Sequence, residues 1–149
     1  MRVFLNLFGG VAGDMLVGGL LDAGADAKLL DPLLACLPPG EVQIHVERSL
    51  RQGIAGTHFV VDAKEVSTHR HLSDVLAILG TMPLTQRASR WAVSAFQELA
   101  HAEARAHDCA VEEVHFHEVG AIDAIVDIAG ACTLLDSLEP TAVFASAIP

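Results

Sequence analysis

Apolar and polar positions alternate in distinct rhythms along this chain, and each change of rhythm marks an element. Arg2 to Phe8 is a short, nearly continuous apolar run, the pattern of a buried strand, and it stops at Gly9-Gly10-Val11-Ala12-Gly13-Asp14. A short helix then runs to about Leu21, with Gly24 placed as its C-cap. Ala27 to Leu37 reads as another helix, closed by Pro38-Pro39-Gly40. Val42, Ile44 and Val46 alternate with polar neighbours, and a second strand spans about Gly56 to Asp62, so the two are expected to pair antiparallel. Thr68 to Asp74 opens a helix ending near Gly80. Pro83 begins the longest helix, which reaches His107. Val114 to His117 is extended, Gly120 or Ala121 starts a helix to Leu138, and Val143 to Ile148 is a last apolar strand.

Strands and helices interleaved in this way predict an α/β fold, a central mixed sheet flanked by helices in one domain. The sheet is expected to hold the strands from Arg2, Val42, Gly56 and Val143, with the helices from Pro83 and Ala121 side by side. There is no internal repeat and no low-complexity segment. A strand closing at Ile148-Pro149 reads as a cut, so the chain is expected to be one piece of a longer polypeptide or one subunit of a split enzyme.

Composition narrows the partners. The 149 residues carry 9 Lys plus Arg against 19 Asp plus Glu, a net charge of −10. Counterion release from nucleic acid needs a basic patch, which is missing, and the acidic balance disfavours anionic membranes as well. Aromatic residues make up only 5% and Tyr is absent, leaving no stacking platform for bases. Asn6 and Asp14 interrupt the only stretch that imitates a leader, and no apolar run approaches a membrane span, so a cytoplasmic location is expected. Cys36, Cys109 and Cys132 form no C-x-x-C pair, which argues against a disulfide framework and against finger-type zinc.

The histidines change the picture. There are eight, and beyond His45 and His58 all fall between His69 and His117. Two H-x-H triplets, His69-Arg70-His71 and His115-Phe116-His117, can each present two imidazoles on one face of an extended segment. Imidazole suits nickel, zinc, copper or iron, whereas carboxylate suits magnesium or manganese. On the long helix, Ala88, Ala92, Ala95, Phe96, Leu99, Ala102 and Ala106 fall on one arc that also takes in Glu103, with His107 at its edge. Glu103 there either escapes to solvent beside His107 or needs a cation. His101 lies on the wet face. The helix after Ala121 is apolar nearly all round, yet Asp123 and Asp127 stand at i and i+4, where like charges repel. Unpaired buried carboxylates are costly, so these two call for an Arg or a metal. The glycine turn could cradle an anion at a helix start or could simply be a tight turn with Asp14 as N-cap. It has neither the Walker A lysine nor G-x-G-x-x-G spacing. No G-x-S-x-G elbow is present.

Taken together, Gly10-Val11-Ala12-Gly13-Asp14-Met15, Gly18-Gly19-Leu20-Leu21-Asp22-Ala23-Gly24, His69-Arg70-His71-Leu72, Ala102-Glu103-Ala104 with His107, and Val114-His115-Phe116-His117-Glu118-Val119-Gly120-Ala121-Ile122-Asp123 with Val126-Asp127-Ile128 resemble the LarC-type nickel-insertion protein family. The blocks span nearly the whole chain. Asn6 and Gly9 depart from the family, which usually has Asp and often Ser there. The resemblance implies a CTP-dependent cyclometallase of the lyase class. Such an enzyme puts nickel into a pyridinium bisthiocarboxylic acid mononucleotide, making nickel–sulfur bonds and one nickel–carbon bond, for lactate racemase-type enzymes. It further implies that this chain is the N-terminal domain and that the CTP site, with Mg or Mn, lies in a C-terminal part absent here, so the piece alone is expected to be inactive. Partners would be the mononucleotide, that C-terminal domain or a companion chain, the apo racemase-type enzyme and, in a homo-oligomer, further copies.

On this footing Asp14, Glu118, Asp123 and Asp127 are expected as catalytic groups. Gly10, Gly13, His69 and Arg70 are expected to contact the nucleotide, and His71, Glu103, His107, His115 and His117 to bind metal. Glu103, His107, His115, His117, Glu118, Asp123 and Asp127 are expected to converge on one pocket. A non-catalytic metal-binding or storage module and a metal-dependent hydrolase remain open on the same residues.

Overall fold

The computed structural model describes residues 1–38, 40–64, 70–116 and 120–147. Strand β1 (Arg2–Leu5) leads through the glycine turn into helix α1 (Gly13–Asp22). A 3-10 turn at Ala27–Leu29 and the single turn α2 (Asp31–Leu34) precede β2 (Val42–Arg51) and β3 (Ile54–Ala63). Then follow β4 (Arg70–His71), α3 (Leu72–Thr81), α4 (Gln86–His107), a 3-10 turn at Val111–Glu113, β5 (His115–Phe116), α5 (Ile122–Ser137) and β6 (Ala142–Ala145).

The α/β class is as expected, but among the described residues the strands form three two-stranded ladders where a single central sheet was anticipated. β1 pairs parallel with β6, β2 antiparallel with β3, and β4 antiparallel with β5. The expected antiparallel pairing of β2 and β3 is present and longer than foreseen. Both strands run ten residues to a two-residue turn in which Gln52 and Gly53 have φ of 51° and 83°, the primed geometry that matches strand twist. Their polar outer half, Glu47 to Arg51, hid that length. The hairpin lies on α1 and α5, and Asp22 of α1 clamps it by accepting hydrogen bonds from the Thr57 backbone N–H (2.9 Å), the Thr57 hydroxyl (2.8 Å) and Arg48.

Other departures have local causes. The first strand ends at Leu5 because the chain turns at Gly9 and Gly10, whose φ values of 89° and 95° suit glycine. The helix foreseen from Ala27 to Leu37 breaks in two at Pro32, which has no N–H to continue the ladder. Helix α4 starts at Gln86, three residues after Pro83, because the Thr85 hydroxyl accepts the Ala88 N–H at 3.1 Å and acts as its N-cap. Its buried line is Ala88, Ala92, Phe96, Ala100 and Ala104, a strict i, i+4 stripe, while Ala102 and Ala106 are exposed. Small side chains on that stripe let α5 pack against α4, as expected of two helices that both carry extensive apolar surface.

The core is one cluster. Val17 and Leu20 of α1, Phe59 of β3, Val75 and Leu79 of α3, Phe96 of α4 and Ile125, Val126 and Leu134 of α5 belong to it. No polar or charged residue is fully buried among the described residues. No described helix is long and apolar enough to cross a membrane.

Candidate functional site

The first turn of α5 is where the predicted residues gather. On one side it meets the start of α1. A Cβ built on Gly13 would lie 2.5 Å from Asp127 Oδ2 and 2.6 Å from Asp127 Cβ, so only glycine allows the two helices this approach. The expectation that both acids of α5 are buried needs correction. Asp123 is exposed, its carboxylate accepting the Ala124 N–H at 2.8 Å, while the buried side of the same turn is taken by Ile125. Asp127, one turn on, is half-buried against α1.

Asp127 is the electrostatically strained member. Burial, reinforced by the negative charges of Asp14 and Asp123, pushes its carboxyl up to about 6, against the pull of the Asp14 backbone N–H. Its Oδ1 is sealed from solvent and has no hydrogen-bond partner among the described residues. Neither α1 nor α5 carries a side-chain N-cap, since Ala12 and Ala121 occupy those positions. Asp14 turns its own Oδ1 onto the Met15 N–H at 2.7 Å.

On the other side of the α5 start lies the ladder of β4 and β5. The half-buried Arg70 donates to the Gly120 carbonyl at 2.6 Å, tying β4 to the residue just before the helix. His71 and His115 are register partners across that ladder, with ring centroids 4.0 Å apart and planes tilted by 45°. His71 Nδ1 lies 3.0 Å from the Val114 carbonyl oxygen. A carbonyl only accepts, so Nδ1 carries the hydrogen, and in the neutral ring Nε2 holds the lone pair. A backbone acceptor fixing one nitrogen so that the other can ligate is the usual support for a metal-binding imidazole.

Glu103 and His107 form a third group, an i, i+4 pair at 3.3 Å with side chains 34% and 61% exposed. His101 is exposed, in keeping with its place on the wet face. Gly10 lies in the turn that leads to α1. His69, His117 and Glu118 lie outside the described residues. Among those described, no three His, Cys, Asp or Glu side chains come together so as to hold a metal ion. What the fold brings together is therefore a carboxylate group and an imidazole pair bordering the start of one helix. The Cys132 thiol, pushed up to about 11 by burial, is unsuited to nucleophilic or ligand chemistry.

Comparison with known proteins decides the family. The family described as "Nickel insertion protein" matches residues 3–149. The chain belongs to the nickel insertion protein family. It is 46% identical over 145 residues to a pyridinium-3,5-bisthiocarboxylic acid mononucleotide nickel insertion protein of Desulfitobacterium hafniense, covering 97% of this chain and 36% of that relative. A protein of the same name from Staphylococcus epidermidis is 37% identical over 147 residues, covering 99% of this chain and 37% of the relative. The chain thus spans about a third of the length of these relatives. No solved structure matches it.

Within the family's blocks, two site features escaped the sequence. The closeness of Gly13 to Asp127 joins residues more than a hundred positions apart, and nothing local signals it. The Val114 carbonyl that orients His71 is a backbone group, invisible to any motif. Asp22 was readable only as part of one family block, although a carboxylate closing a helix two residues before a glycine could have suggested an anchoring role.

Proposed function

We propose that this chain is the nickel-handling third of an enzyme that inserts nickel into a pyridinium bisthiocarboxylic acid mononucleotide to make the nickel-pincer cofactor of lactate racemase-type enzymes. Nickel is its substrate. The observation that carries the reading is the His71–His115 pair, with its fixed tautomer, beside the α5 start. His71 and His115 would take the incoming nickel, with His69, His117, Glu103 and His107 as further ligands along its route. Nickel stands high in the divalent affinity order and accepts imidazole readily.

Gly10, Gly13 and Arg70 would face the mononucleotide, together with His69. Asp14, Glu118, Asp123 and Asp127 would serve the chemistry. Making a nickel–carbon bond at a ring carbon that bears hydrogen releases one proton. A carboxylate held near 6, as Asp127 is, is matched to accept that proton near neutral pH. The CTP-binding part, with Mg or Mn, the lyase activity as a whole, the apo racemase-type recipient, any homo-oligomer and a cytoplasmic location belong to the same proposal, since the relatives are about three times longer than this chain.

Titration calorimetry with nickel tests the first step. Replacing His71 and His115 together by alanine should weaken nickel binding at least tenfold, while His101→Ala leaves it unchanged. Imidazole must be deprotonated to ligate, so affinity should also fall on acidification. Equal affinity in the double variant and the wild type would remove the pair from the nickel route.

A further inference from the structure

The parallel ladder β1–β6 is apolar in sequence and unburied in place. Arg-Val-Phe-Leu pairs with Ala-Val-Phe-Ala, yet no residue of either strand is buried. None of them belongs to the core cluster or to the partly buried apolar residues packed on it. Phe4 and Phe144 are register partners, hence neighbours on one face, and are 65% and 53% exposed. Met1, 59% exposed, and Val143, 39% exposed, add to the apolar surface of the same ladder.

Geometry makes this unusual. Parallel strands occur almost only with both faces covered, whereas antiparallel ribbons tolerate one solvated face. Two strands alone are marginal, and here no tight turn joins them. The ladder is nonetheless well formed. Thr141 N–H donates to the Met1 carbonyl at 2.7 Å, Ser146 N–H to the Leu5 carbonyl at 2.9 Å, and Leu7 N–H to the Ser146 hydroxyl at 2.9 Å. Leu50 and Ile54, also strongly exposed, lie by contrast at the tip of the antiparallel hairpin, where one wet face is ordinary.

The family's length says what covers it. The matched region makes up 36% of the Desulfitobacterium relative, so most of the family polypeptide lies outside this structure. We propose that the exposed face and open edges of the β1–β6 ladder are the docking surface for the remaining two-thirds of the family polypeptide, which lays apolar cover over Phe4 and Phe144 and extends the ladder into a larger sheet. The inference uses no nickel chemistry and stands or falls apart from the proposed function.

Hydrogen–deuterium exchange tests it without any substitution. The 149-residue chain would be compared with the full-length Desulfitobacterium protein carrying this chain in place of its matching third. Amides of residues 2–5 and 142–145 should exchange at least tenfold more slowly in the full-length protein. The paired substitution Phe4→Asp with Phe144→Asp should restore fast exchange there, while Leu50→Asp does not. Because both phenylalanines lie outside the core, the doubly substituted 149-residue chain should keep its circular dichroism and melting temperature. Equal exchange of the ladder in the two wild-type proteins overturns the proposal. Concentration-dependent protection in the 149-residue chain overturns it too, since a second copy would then be the occupant, as does new protection confined to the hairpin tip.

Discussion

Helix α5 carries a buried-side aspartate near each end, and the fold treats the two in opposite ways. At the C-terminal end Asp136, 12% exposed, is held by the Arg87 guanidinium and the Thr85 hydroxyl at 2.5 Å, and Arg87 adds a bond to the Asp136 carbonyl at 3.1 Å. Burial pushes the Asp136 carboxyl up, but these hydrogen bonds and the Arg87 charge outweigh it and hold it below the usual carboxylate value. Toward the N-terminal end Asp127 meets two more carboxylates and, among the described residues, neither a cation nor a hydrogen-bond partner for its Oδ1, and it rises to about 6. One end is wired for stability, fixing the start of α4 to the end of α5. The other is left uncompensated by any described residue, and a perturbed carboxylate of that kind is what the proposed function puts to use.

The largest expected effect comes from closing the gap at the uncompensated end. Gly13→Ala would drive a methyl group into Asp127, at 2.5–2.9 Å from its Oδ2, Cβ and Cγ. Overpacking of this kind costs about 1–3 kcal/mol, and the upper end is expected where two helix backbones must part. Chemical denaturation of the 149-residue chain measures it. A stability loss below about 0.5 kcal/mol would mean that the two helix starts are not locked together.

Next is Asp127→Asn. The folded carboxyl sits at about 6 against an ordinary 3.8, so the native state holds this proton more tightly than the unfolded chain does. The resulting destabilisation is fully present above pH 6 and is relieved as pH falls from 6 toward 3.8. At neutral pH it amounts to about 2–3 kcal/mol at most. Asparagine removes the charge while keeping the shape, so it should stabilise the chain by about 1–2 kcal/mol at pH 7.5 and flatten the rise in stability between pH 7 and 4.5. Nickel insertion in the full-length protein should fall at the same time. A stabilised variant with undiminished insertion would make Asp127 a packing flaw and no more.

How much of this was legible beforehand follows from the range of each signal. Helices α1, α4 and α5 and the β2–β3 pairing were readable because period and capping are written locally. Gly24 and the alternation of Val42, Ile44 and Val46 lie within a few residues of what they control, and the apolar period of α4 and α5 runs within each helix. The Asp123/Asp127 anomaly was readable for the same reason. The assignment of strands to three ladders was not, because β1 and β6 meet across 140 positions and their apolar sequences promise a burial that this chain does not supply. The split behaviour of the two acids was likewise hidden. A 100° step places both on one face but cannot say that Gly13 waits opposite Asp127 while Asp123 stands in water.

The stabilised end of α5 gives a smaller, opposite prediction. Arg87→Ala leaves Asp136 facing Thr85 alone and also removes the guanidinium that lies 5.4 Å from the Trp91 ring centre. With Arg87 39% exposed, solvent screening holds the loss to about 1–2 kcal/mol. The Asp136 carboxyl is lowered, so its contribution exists above pH 3.8 and disappears as pH falls through its depressed folded value. Acid should therefore weaken this end while relieving the other. Nickel uptake should not change, and a drop comparable to that of the His71/His115 variant would dissolve the division between the two ends.

The smallest effect is expected from Glu103→Gln, and it asks whether any carboxylate near α5 would serve as well as Asp127. Glu103 sits on the helix that packs against α5, beside the buried stripe, and the sequence placed it on the apolar arc where an acid would need a cation. In the fold it reaches the surface, where His107 meets it at 3.3 Å with both side chains at least a third exposed. A solvent-exposed i, i+4 pair contributes about 0.3–0.5 kcal/mol, reduced further by salt. Gln keeps the length and hydrogen-bonding capacity and removes only the charge, so stability at physiological salt should change by less than about 0.5 kcal/mol. Raising the salt should shrink that difference, whereas the effect of Asp127→Asn should persist, because its cause is burial first and charge second. Parallel denaturation at low and high salt separates the two. If Glu103→Gln instead lowers nickel uptake as steeply as the His71/His115 substitution does, the metal route extends onto the end of α4, and the uncompensated end of α5 is only part of the site.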